Sequence, residues 1–229
     1  MKPEFDQYAP TYNKLLKDPI RDRFTTSPLF FHLRKWLLIR DFFARTGRRI
    51  GQSDWLDVGC GAGELLRIAA SSFASATGCD LSPGMLRECA SFEVHKQPDP
   101  RTLPFADSIF DFVTAVCVYH HVEPEDRVPL TLELRRVLRP GGIACIIEHN
   151  PWNPATQIIV RRCPVDRNAR LLTAGLVRKL MREADLSVRD SRFFLYLPEV
   201  VFLRAGRIEE ILSGLPLGGQ FAVFAERRL

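Results

Sequence analysis

Leu56-Asp57-Val58-Gly59-Cys60-Gly61-Ala62-Gly63 joins a short apolar run to the start of a helical stretch. A glycine-rich turn between a strand and a helix lets a ligand approach the backbone closely at the carboxyl edge of a parallel sheet. The dinucleotide fingerprint would need a further glycine where Glu64 stands. Asp57, just ahead of the turn, would repel a pyrophosphate but could hold a cationic amino group. The loop therefore favours a ligand other than a dinucleotide.

Beyond this loop, short apolar runs alternate with helical stretches, which predicts an α/β fold with a parallel sheet and right-handed crossovers. Pro140-Gly141-Gly142 ends the third helix and leads into the fifth strand. Two further strands near the end complete a seven-stranded, mostly parallel sheet with helices on both faces. The predicted strands are 55–58, 76–79, 92–95, 110–117, 143–147, 187–196 and 221–226, and the predicted helices are 63–72, 83–90, 124–138 and 173–184.

The chain is predicted to be a single domain of 229 residues. Apolar residues at helical spacing over 28–45 indicate a helical N-terminal cap within 1–50. The ligand-binding core covers 51–148. Residues 149–229 contain the C-terminal strands and a lid-like insertion after the fifth strand, for which we expect an irregular conformation over 149–172.

Composition excludes several classes of protein. With 46% hydrophobic and 26% charged residues, the chain is typical of a globular protein with a sizeable core. Its net charge of +5 could suit an anionic partner, but basic and acidic residues are interspersed, which argues against a nucleic-acid substrate. The six cysteines form no Cys-x-x-Cys pair, so we expect free thiols and no metal site. The lack of a signal peptide and of a long apolar segment predicts a cytoplasmic protein without a transmembrane segment.

The second predicted strand ends in Gly78-Cys79-Asp80-Leu81. At that position Asp80 could accept hydrogen bonds from two ribose hydroxyls, and Leu81 could lie against an adenine ring. Alternatively, Asp80 could be the N-cap of the following helix. Together with the glycine loop, the ligand-binding interpretation is favoured.

Over residues 5–148 the chain resembles the class I S-adenosylmethionine-dependent methyltransferases of the small-molecule type, which have a Rossmann-like fold. Besides the loop and Asp80, the resemblance rests on 103–111, which leads into strand four, and on 134–142, which leads into strand five. It implies S-adenosylmethionine as the cofactor and S-adenosylhomocysteine as the product.

The resemblance also implies which residues bind the cofactor. Residues just after strand four, near Val116 and Cys117, would line its methionine end, and Tyr12 would close over it. Asp99 falls where the family has an acidic residue near the adenine amino group, but Pro100 lacks the usual backbone donor. A solvated loop carboxylate is the alternative for Asp99. The full predicted cofactor-binding set is Tyr12, Asp57, Gly59, Gly61, Gly63, Asp80, Leu81, Asp99 and Cys117.

A methyl acceptor that carries a proton needs a group to receive it, and a histidine suits that task. His121, in the segment after strand four, is the first candidate base, and His120 beside it ranks lower. His149, after strand five, is an alternative. Each of the three could instead merely stabilise its turn.

The predicted acceptor is a small molecule or a lipid-linked saccharide, methylated on oxygen or nitrogen, or on carbon. Arginines in the predicted lid could bind a phosphate or carboxylate on it, although a solvated basic surface is the alternative. Two other functions stay open at this point: a catalytically silent S-adenosylmethionine-binding partner, and an NAD-dependent oxidoreductase, which the missing third glycine disfavours. The sequence says nothing about the oligomeric state. The arginines are Arg161, Arg162, Arg167 and Arg170.

Overall fold

The computed structural model describes residues 4–27 and 29–228, which fold around one seven-stranded sheet. The strand order is β3-β2-β1-β4-β5-β7-β6, with all neighbours parallel except those of β7, which runs antiparallel to β5 and β6. This confirms the predicted α/β, Rossmann-like architecture. The strands are Asp54–Val58 (β1), Ser75–Asp80 (β2), Glu93–Lys96 (β3), Phe110–Val116 (β4), Leu138–His149 (β5), Leu186–Phe194 (β6) and Gln220–Arg227 (β7).

Ten α-helices of the described residues surround this sheet, several with their first turn capped by a side chain. Asp18, Ser82, Asn153 and Thr173 each accept a hydrogen bond from a backbone N–H of the helix that follows. The helices are Tyr12–Leu15 (α1), Pro19–Phe24 (α2), Leu29–Thr46 (α3), Glu64–Ala69 (α4), Pro83–Glu88 (α5), Pro124–Val137 (α6), Pro154–Arg162 (α7), Ala174–Glu183 (α8), Glu199–Ala205 (α9) and Arg207–Leu212 (α10).

The strand order reverses between β1 and β4. From β1 the chain proceeds outward to β2 and β3, then returns to place β4 on the other side of β1. In open α/β sheets this reversal opens a crevice at the carboxyl ends of the two central strands, where ligands bind. The predicted glycine loop directly follows β1 and therefore lies at this crevice.

The hydrophobic core has one part on each face of the sheet. Helices α6 and α8 pack on one face, with Leu134 and Met181 fully buried. Helices α3 and α4 pack on the other, where the Phe42 and Phe224 rings stack at a centroid distance of 4.1 Å. Both faces of the central strands are thus covered, as their near-continuous apolar sequences require.

Residues far apart in sequence are joined by a buried ion pair between α3 and α10. Arg34 Nη2 lies 2.5 Å from Glu209 Oε2, and both side chains are buried. Glu209 also accepts hydrogen bonds from the backbone N–H groups of Tyr196 and Leu197 at 3.0 and 2.9 Å. This ion pair therefore joins α3 to the segment after β6.

Three expectations about local structure were wrong. The segment 149–172 is not irregular, because α7 forms there with Asn153 as its cap and Pro154 in its first turn. Helices α9 and α10 were not expected at all. Strand β5 begins at Leu138 rather than at 143, since Leu138 already pairs with Phe110 before the bulge in β4. Among the described residues, none of the helices is both long and apolar enough to span a membrane.

Candidate active site

A cavity of about 580 Å³ opens at the carboxyl ends of β1, β2, β4 and β5. Helices α1, α2, α3 and α7 form its outer walls with apolar and polar side chains in equal number, and the strand ends contribute further polar ones. Its size is typical of a site for small ligands. The apolar walls include Leu15, Leu16, Ile20, Phe24, Phe31, Ile159 and Leu195.

The glycine loop forms the floor of this cavity beside β1. Gly59 and Gly61 have φ angles of +67° and +56°, in the left-handed region that disfavours side chains. A Cβ atom at Gly59 would lie 2.5 Å from a methyl carbon of Val118, whereas one at Gly61 would meet nothing within 4 Å. The backbone at Gly61 is therefore open for a ligand to approach.

Gly63, the third predicted loop glycine, has a different role. Its φ is +82°, and a Cβ atom there would lie 2.5 Å from the sulfur of Cys89. Gly63 does not line the cavity, unlike its neighbours Gly61 and Glu64. The structure explains this glycine by the packing of α4 against the end of α5.

Asp80 lies at the carboxyl end of β2 and holds the loop in place. Its Oδ2 accepts a hydrogen bond from the Gly61 N–H at 2.9 Å, and its Oδ1 accepts one from the Ser82 N–H at 2.8 Å. Burial raises the pKa of this carboxyl, although the two backbone donors oppose the shift. Each carboxylate oxygen keeps a further lone pair for a ligand hydroxyl. Leu81 lines the cavity next to it.

Asp57 is buried at the end of β1. Its Oδ1 accepts the hydroxyl hydrogen of Thr114 on β4 at 2.6 Å, and the Trp55 indole N–H donates to Thr114 at 2.8 Å. Burial raises the pKa of Asp57 to about 7. A cationic ligand group would compensate the desolvated carboxylate, so Asp57 fits the cationic amino group expected from the sequence.

Lys35 on α3 provides the opposite charge on the cavity wall. It is 5% exposed, and in the part of the chain that the structure describes it forms no salt bridge. Its charge lowers the pKa of Asp57 and that of Cys117. A buried ammonium group facing a cavity is suited to a ligand carboxylate. Sequence reasoning missed Lys35, since a lysine among apolar residues of a helix is normally solvated.

Two buried polar atoms of the cavity wall lack a hydrogen-bond partner within residues 4–27 and 29–228: Nδ1 of His32 and Oε1 of Gln220. Buried polar atoms are normally hydrogen-bonded, so each is suited to a polar ligand atom. Burial lowers the pKa of His32 well below its usual range. With Asp57, Asp80 and Lys35, these atoms form a polar lining that fits S-adenosylmethionine, with its ammonium, carboxylate and ribose groups.

At the other end of the cavity, the structure brings the three predicted histidines together. The ring centroids of His120 and His121 are 4.1 Å apart, and those of His120 and His149 are 5.1 Å apart. His121 also contacts the ring of Phe5 edge-on at 4.8 Å. All three histidines line the cavity. They come from the turn after β4 and from the last residue of β5, which are adjacent in the sheet.

Two carboxylates, neither of them expected from the sequence, complete this cluster. His120 Nδ1 lies 2.5 Å from Oε2 of Glu148, and its Nε2 lies 3.5 Å from Oδ1 of Asp166. His121 Nε2 lies 3.3 Å from the same Asp166 oxygen. Asp166 follows α7, in the segment expected to be irregular. Only its place before an Arg-rich stretch could have drawn attention to it.

The pKa values of the two neighbouring histidines are shifted in opposite directions. Burial opposes the charged form of His120, but Glu148 and Asp166 outweigh it and raise its pKa to about 10. Burial lowers the pKa of His121, with Asp166 only partly opposing this. Burial would raise the pKa of Asp166, but the adjacent histidines hold it far below its usual range. His120 thus has both nitrogens engaged by carboxylates, whereas His121 has only one.

The remaining predicted residues divide into two groups. Tyr12 and Cys117 line the cavity, and Cys117 has a φ of +58°. Burial opposes ionisation of the Cys117 thiol, but Lys35 and His149 lower its pKa to about 7. Asp99 does not line the cavity, and its Oδ1 accepts a hydrogen bond from the Arg101 N–H at 2.7 Å.

Of the four arginines of the predicted lid, the structure places only Arg162 on the cavity wall, 3.8 Å from Asp18. Arg170 instead pairs with Glu123 at 2.9 Å. The lid is therefore basic mainly on the side that faces away from the cavity.

The central part of the chain is similar to known methyltransferases. Residues 56–146 match the family described as a methyltransferase domain. A demethylmenaquinone methyltransferase of Staphylococcus aureus is 36% identical over 127 residues, which are 51% of this chain and 50% of that protein. A 2-methyl-6-phytyl-1,4-hydroquinone methyltransferase of Synechocystis is 34% identical over 43% of this chain and 31% of that protein. A probable tRNA methyltransferase 9B of Bos taurus is 30% identical over 56% of this chain and 28% of that protein.

The chain thus spans about half the length, or less, of the curated relatives it matches. Among solved structures, a methyltransferase of Thermotoga maritima, described as a possible histamine N-methyltransferase, has a TM-score of 0.71 at 17% identity and covers 98% of both chains. At that identity the likeness concerns the fold. Residues 56–146, which contain the loop and the central strands, are thus similar to a methyltransferase domain, and the described chain has the fold of a Rossmann-like methyltransferase.

Proposed function

We propose that the chain transfers a methyl group from S-adenosylmethionine to an oxygen of a small, largely apolar molecule that carries a hydroxyl group. The observation that carries this proposal is a single cavity with two unlike ends. One end contains the glycine loop, Asp57 and Asp80, and the other contains the histidine and carboxylate cluster. Apolar side chains line the walls between and around them.

When bound, S-adenosylmethionine supplies a methyl group on a positively charged sulfur, which an acceptor lone pair can displace. The residues of the chain mainly hold the reactants in line and exclude water. Asp80 accepts hydrogen bonds from the ribose hydroxyls. Asp57 and Lys35 bind the amino and carboxylate groups of the methionine portion. Tyr12, on α1, covers this end of the cavity.

The acceptor hydroxyl is activated at the histidine cluster. A hydroxyl is a poor nucleophile until its proton is removed or its oxygen is polarised. His121 is the member of the cluster that we assign to the acceptor, because only one of its ring nitrogens is engaged by a carboxylate. His120 and Glu148 are both buried, and we assign to them the role of holding the cluster in position.

The walls favour an acceptor with an aromatic or aliphatic body over a saccharide. Phenylalanines, leucines and isoleucines from α1, α2, α3 and α7 face this part of the cavity. A saccharide would leave most of its hydroxyl groups unpaired against such walls. The quinone and hydroquinone methyltransferases among the relatives support the same class of acceptor. Arg162 offers one site for an anionic substituent.

The proposal is tested by measuring the formation of S-adenosylhomocysteine with a panel of phenols, hydroquinones, aliphatic alcohols, amines and saccharides. We expect turnover with hydroxylated apolar compounds and none with saccharides. S-Adenosylmethionine binding is measured in parallel by calorimetry, with Asp80→Ala as the binding-deficient control. Tight binding without product from any acceptor would instead support a catalytically silent binding protein, and the absence of cofactor binding would overturn the proposal altogether.

A further inference from the structure

We propose that His120, His121 and Asp166 form a binding site for one divalent transition-metal ion, at the acceptor end of the cavity. The three side chains each offer one ligand atom, and these atoms lie within 4.8 Å of one another. Two imidazoles and one carboxylate are a ligand set that binds Zn²⁺, Fe²⁺, Mn²⁺ or Co²⁺. The role of this ion in catalysis rests on the proposed function, whereas its binding does not.

The spacing of the ligand atoms suits such an ion. Metal–ligand distances of about 2.0 to 2.2 Å in a tetrahedral site place neighbouring ligand atoms roughly 3.4 Å apart. Oδ1 of Asp166 lies 3.5 Å from Nε2 of His120 and 3.3 Å from Nε2 of His121. The Asp166 oxygen thus lies at the spacing that a shared ion requires from each of the two imidazole nitrogens.

The buried side of the cluster is organised as metal sites usually are. Nδ1 of His120 is hydrogen-bonded to Glu148 Oε2 at 2.5 Å, and Glu148 Oε1 accepts the Tyr119 N–H at 2.7 Å. A carboxylate on the far nitrogen of a histidine fixes the ring and makes the near nitrogen a better ligand. Glu148 is completely buried. This pair therefore orients Nε2 of His120 toward Asp166.

Charge balance also favours a cation. Glu148 and Asp166 place two carboxylates within 3.5 Å of one imidazole in a largely buried setting. In the part of the chain that the structure describes, neither carboxylate forms a salt bridge with an arginine or a lysine. A divalent ion would neutralise both carboxylates. A proton on His120 would neutralise only one of them, and this is the competing arrangement.

Three ligands leave coordination positions open toward the cavity, which is typical of catalytic rather than structural sites. An acceptor hydroxyl can take one of them. The cation lowers the pKa of that oxygen, and the proton leaves to solvent. A lone pair of the oxygen then forms the bond to the methyl carbon, and the electron pair of the broken carbon–sulfur bond stays on sulfur. His121 would thus act as a ligand, which specifies how the cluster activates the acceptor.

The test uses the untagged protein, stripped with a chelator and titrated with Co²⁺, whose visible absorption reports coordination by nitrogen and oxygen. We expect one Co²⁺ per chain, with the intense bands of a four- or five-coordinate site. Asp166→Asn and His121→Gln should weaken Co²⁺ binding at least tenfold and change the spectrum. The matched control is His95→Gln, since His95 is exposed, does not line the cavity and contacts Glu93 at 3.3 Å and the Phe105 ring edge-on.

Circular dichroism and calorimetry with S-adenosylmethionine check that each variant is folded. Equal Co²⁺ affinity in the wild type, Asp166→Asn and His121→Gln, or no binding in the wild type, would overturn the inference and leave the protonated His120 arrangement. Such a failure is distinguishable from failure of the proposed function, because cofactor binding is measured on the stripped protein and product formation is measured on the same samples both with and without added Co²⁺.

Discussion

Thr114 on β4 donates its hydroxyl hydrogen to Asp57 on β1 at 2.6 Å, across the point where the strand order reverses. This contact fixes the carboxylate at the base of the cavity. Thr114 also receives the Trp55 N–H, and of the two acceptors near its hydroxyl, Asp57 is much nearer than the Leu56 carbonyl, which lies at 3.4 Å. The orientation of the Asp57 carboxylate is thus determined by side chains of the two central strands.

The first prediction concerns the pH dependence of cofactor binding. Asp57 has a pKa of about 7, raised first by burial and then by Asp80 and Glu64, and lowered by Lys35 and Thr114. If the cofactor ammonium pairs with the ionised form, affinity should be roughly eightfold lower near pH 6 than near pH 7.5. Calorimetry at both pH values measures this. Asp57→Asn should bind weakly at both, and a wild-type affinity independent of pH would contradict the pairing.

The same carboxyl affects stability in the opposite direction. In the unfolded chain Asp57 ionises near pH 4, whereas in the folded, cofactor-free protein it keeps its proton up to about pH 7. The folded state therefore binds more protons between these values, so the contribution of Asp57 to stability falls as the pH rises through this window. Urea unfolding of the wild type and of Asp57→Asn should show this pH-dependent difference. Parallel stability curves for the two proteins would contradict it.

The second prediction concerns Asp80. Asp80→Ala removes the acceptor for the Gly61 and Ser82 N–H groups and the proposed partner of the ribose. Hydrogen bonds to a charged group contribute about 1.5 to 3 kcal/mol each, so cofactor affinity should fall by a factor of about 100 or more. Asp99→Ala is the matched control, because Asp99 does not line the cavity. An unchanged affinity in Asp80→Ala would remove the ribose assignment.

The third prediction separates binding from stability at Lys35. Lys35→Met keeps the length of the side chain but removes a buried charge without a salt bridge among the described residues. Its free energy of unfolding should stay equal or rise, because a desolvated charge is removed. Cofactor affinity should fall by at least about tenfold, because the carboxylate loses a charged donor. The exposed Lys179 supplies the control, Lys179→Met, which should alter neither quantity.

The fourth prediction uses three glycines with positive φ. Gly47→Ala should lower the free energy of unfolding by only about 1 kcal/mol, the cost of a side chain at positive φ, because its Cβ would contact nothing within 4 Å. Gly59→Ala adds a clash with Val118 and should cost roughly 2 to 4 kcal/mol. Gly61→Ala should destabilise no more than Gly47→Ala, yet weaken cofactor binding. Urea unfolding and calorimetry measure both effects.

Val118→Ala, combined with Gly59→Ala, tests the origin of the difference. Removing the two Val118 methyl groups should restore the steric part of the loss and leave the backbone part. If the double variant were as unstable as Gly59→Ala alone, the clash would not be the cause.

The fifth prediction concerns His121. His121→Gln should lower kcat about 100- to 10,000-fold with no change in cofactor affinity, because the proposed function assigns this residue to the acceptor. His95→Gln should behave as the wild type. A normal rate in His121→Gln would show that the cluster does not activate the acceptor.

The sheet and the location of the glycine loop and Asp80 at its carboxyl edge were largely predictable from the sequence, because they depend on local patterns. Apolar runs mark the strands. The glycine turn directly follows β1, and Asp80 is the last residue of β2. Helix α7 was missed because its cap, Asn153, stands in a proline-rich stretch that reads as a loop. Helices α9 and α10 were missed because their exposed apolar residues give no clear amphipathic pattern.

The acceptor end could be predicted only in part. His120, His121 and His149 follow strands, so their common location was foreseeable. Their partners were not: Asp166 lies beyond α7, and Lys35 lies on α3 before the first strand. Such contacts depend on how distant segments pack, which no local pattern specifies. The different roles of Gly61 and Gly63 likewise required the position of Cys89.

The buried pair of Arg34 and Glu209 has a consequence for how acceptor preference can change. Because it joins α3 to α10, and Glu209 also accepts the Tyr196 N–H, a shift of α3 is transmitted to Tyr196, which lines the cavity. Breaking one partner leaves the other charge buried and unpaired, at a cost of about 3 to 5 kcal/mol. Adapting the cavity to a bulkier acceptor by moving α3 should therefore require replacement of both Arg34 and Glu209, since a change at either one alone leaves a buried charge.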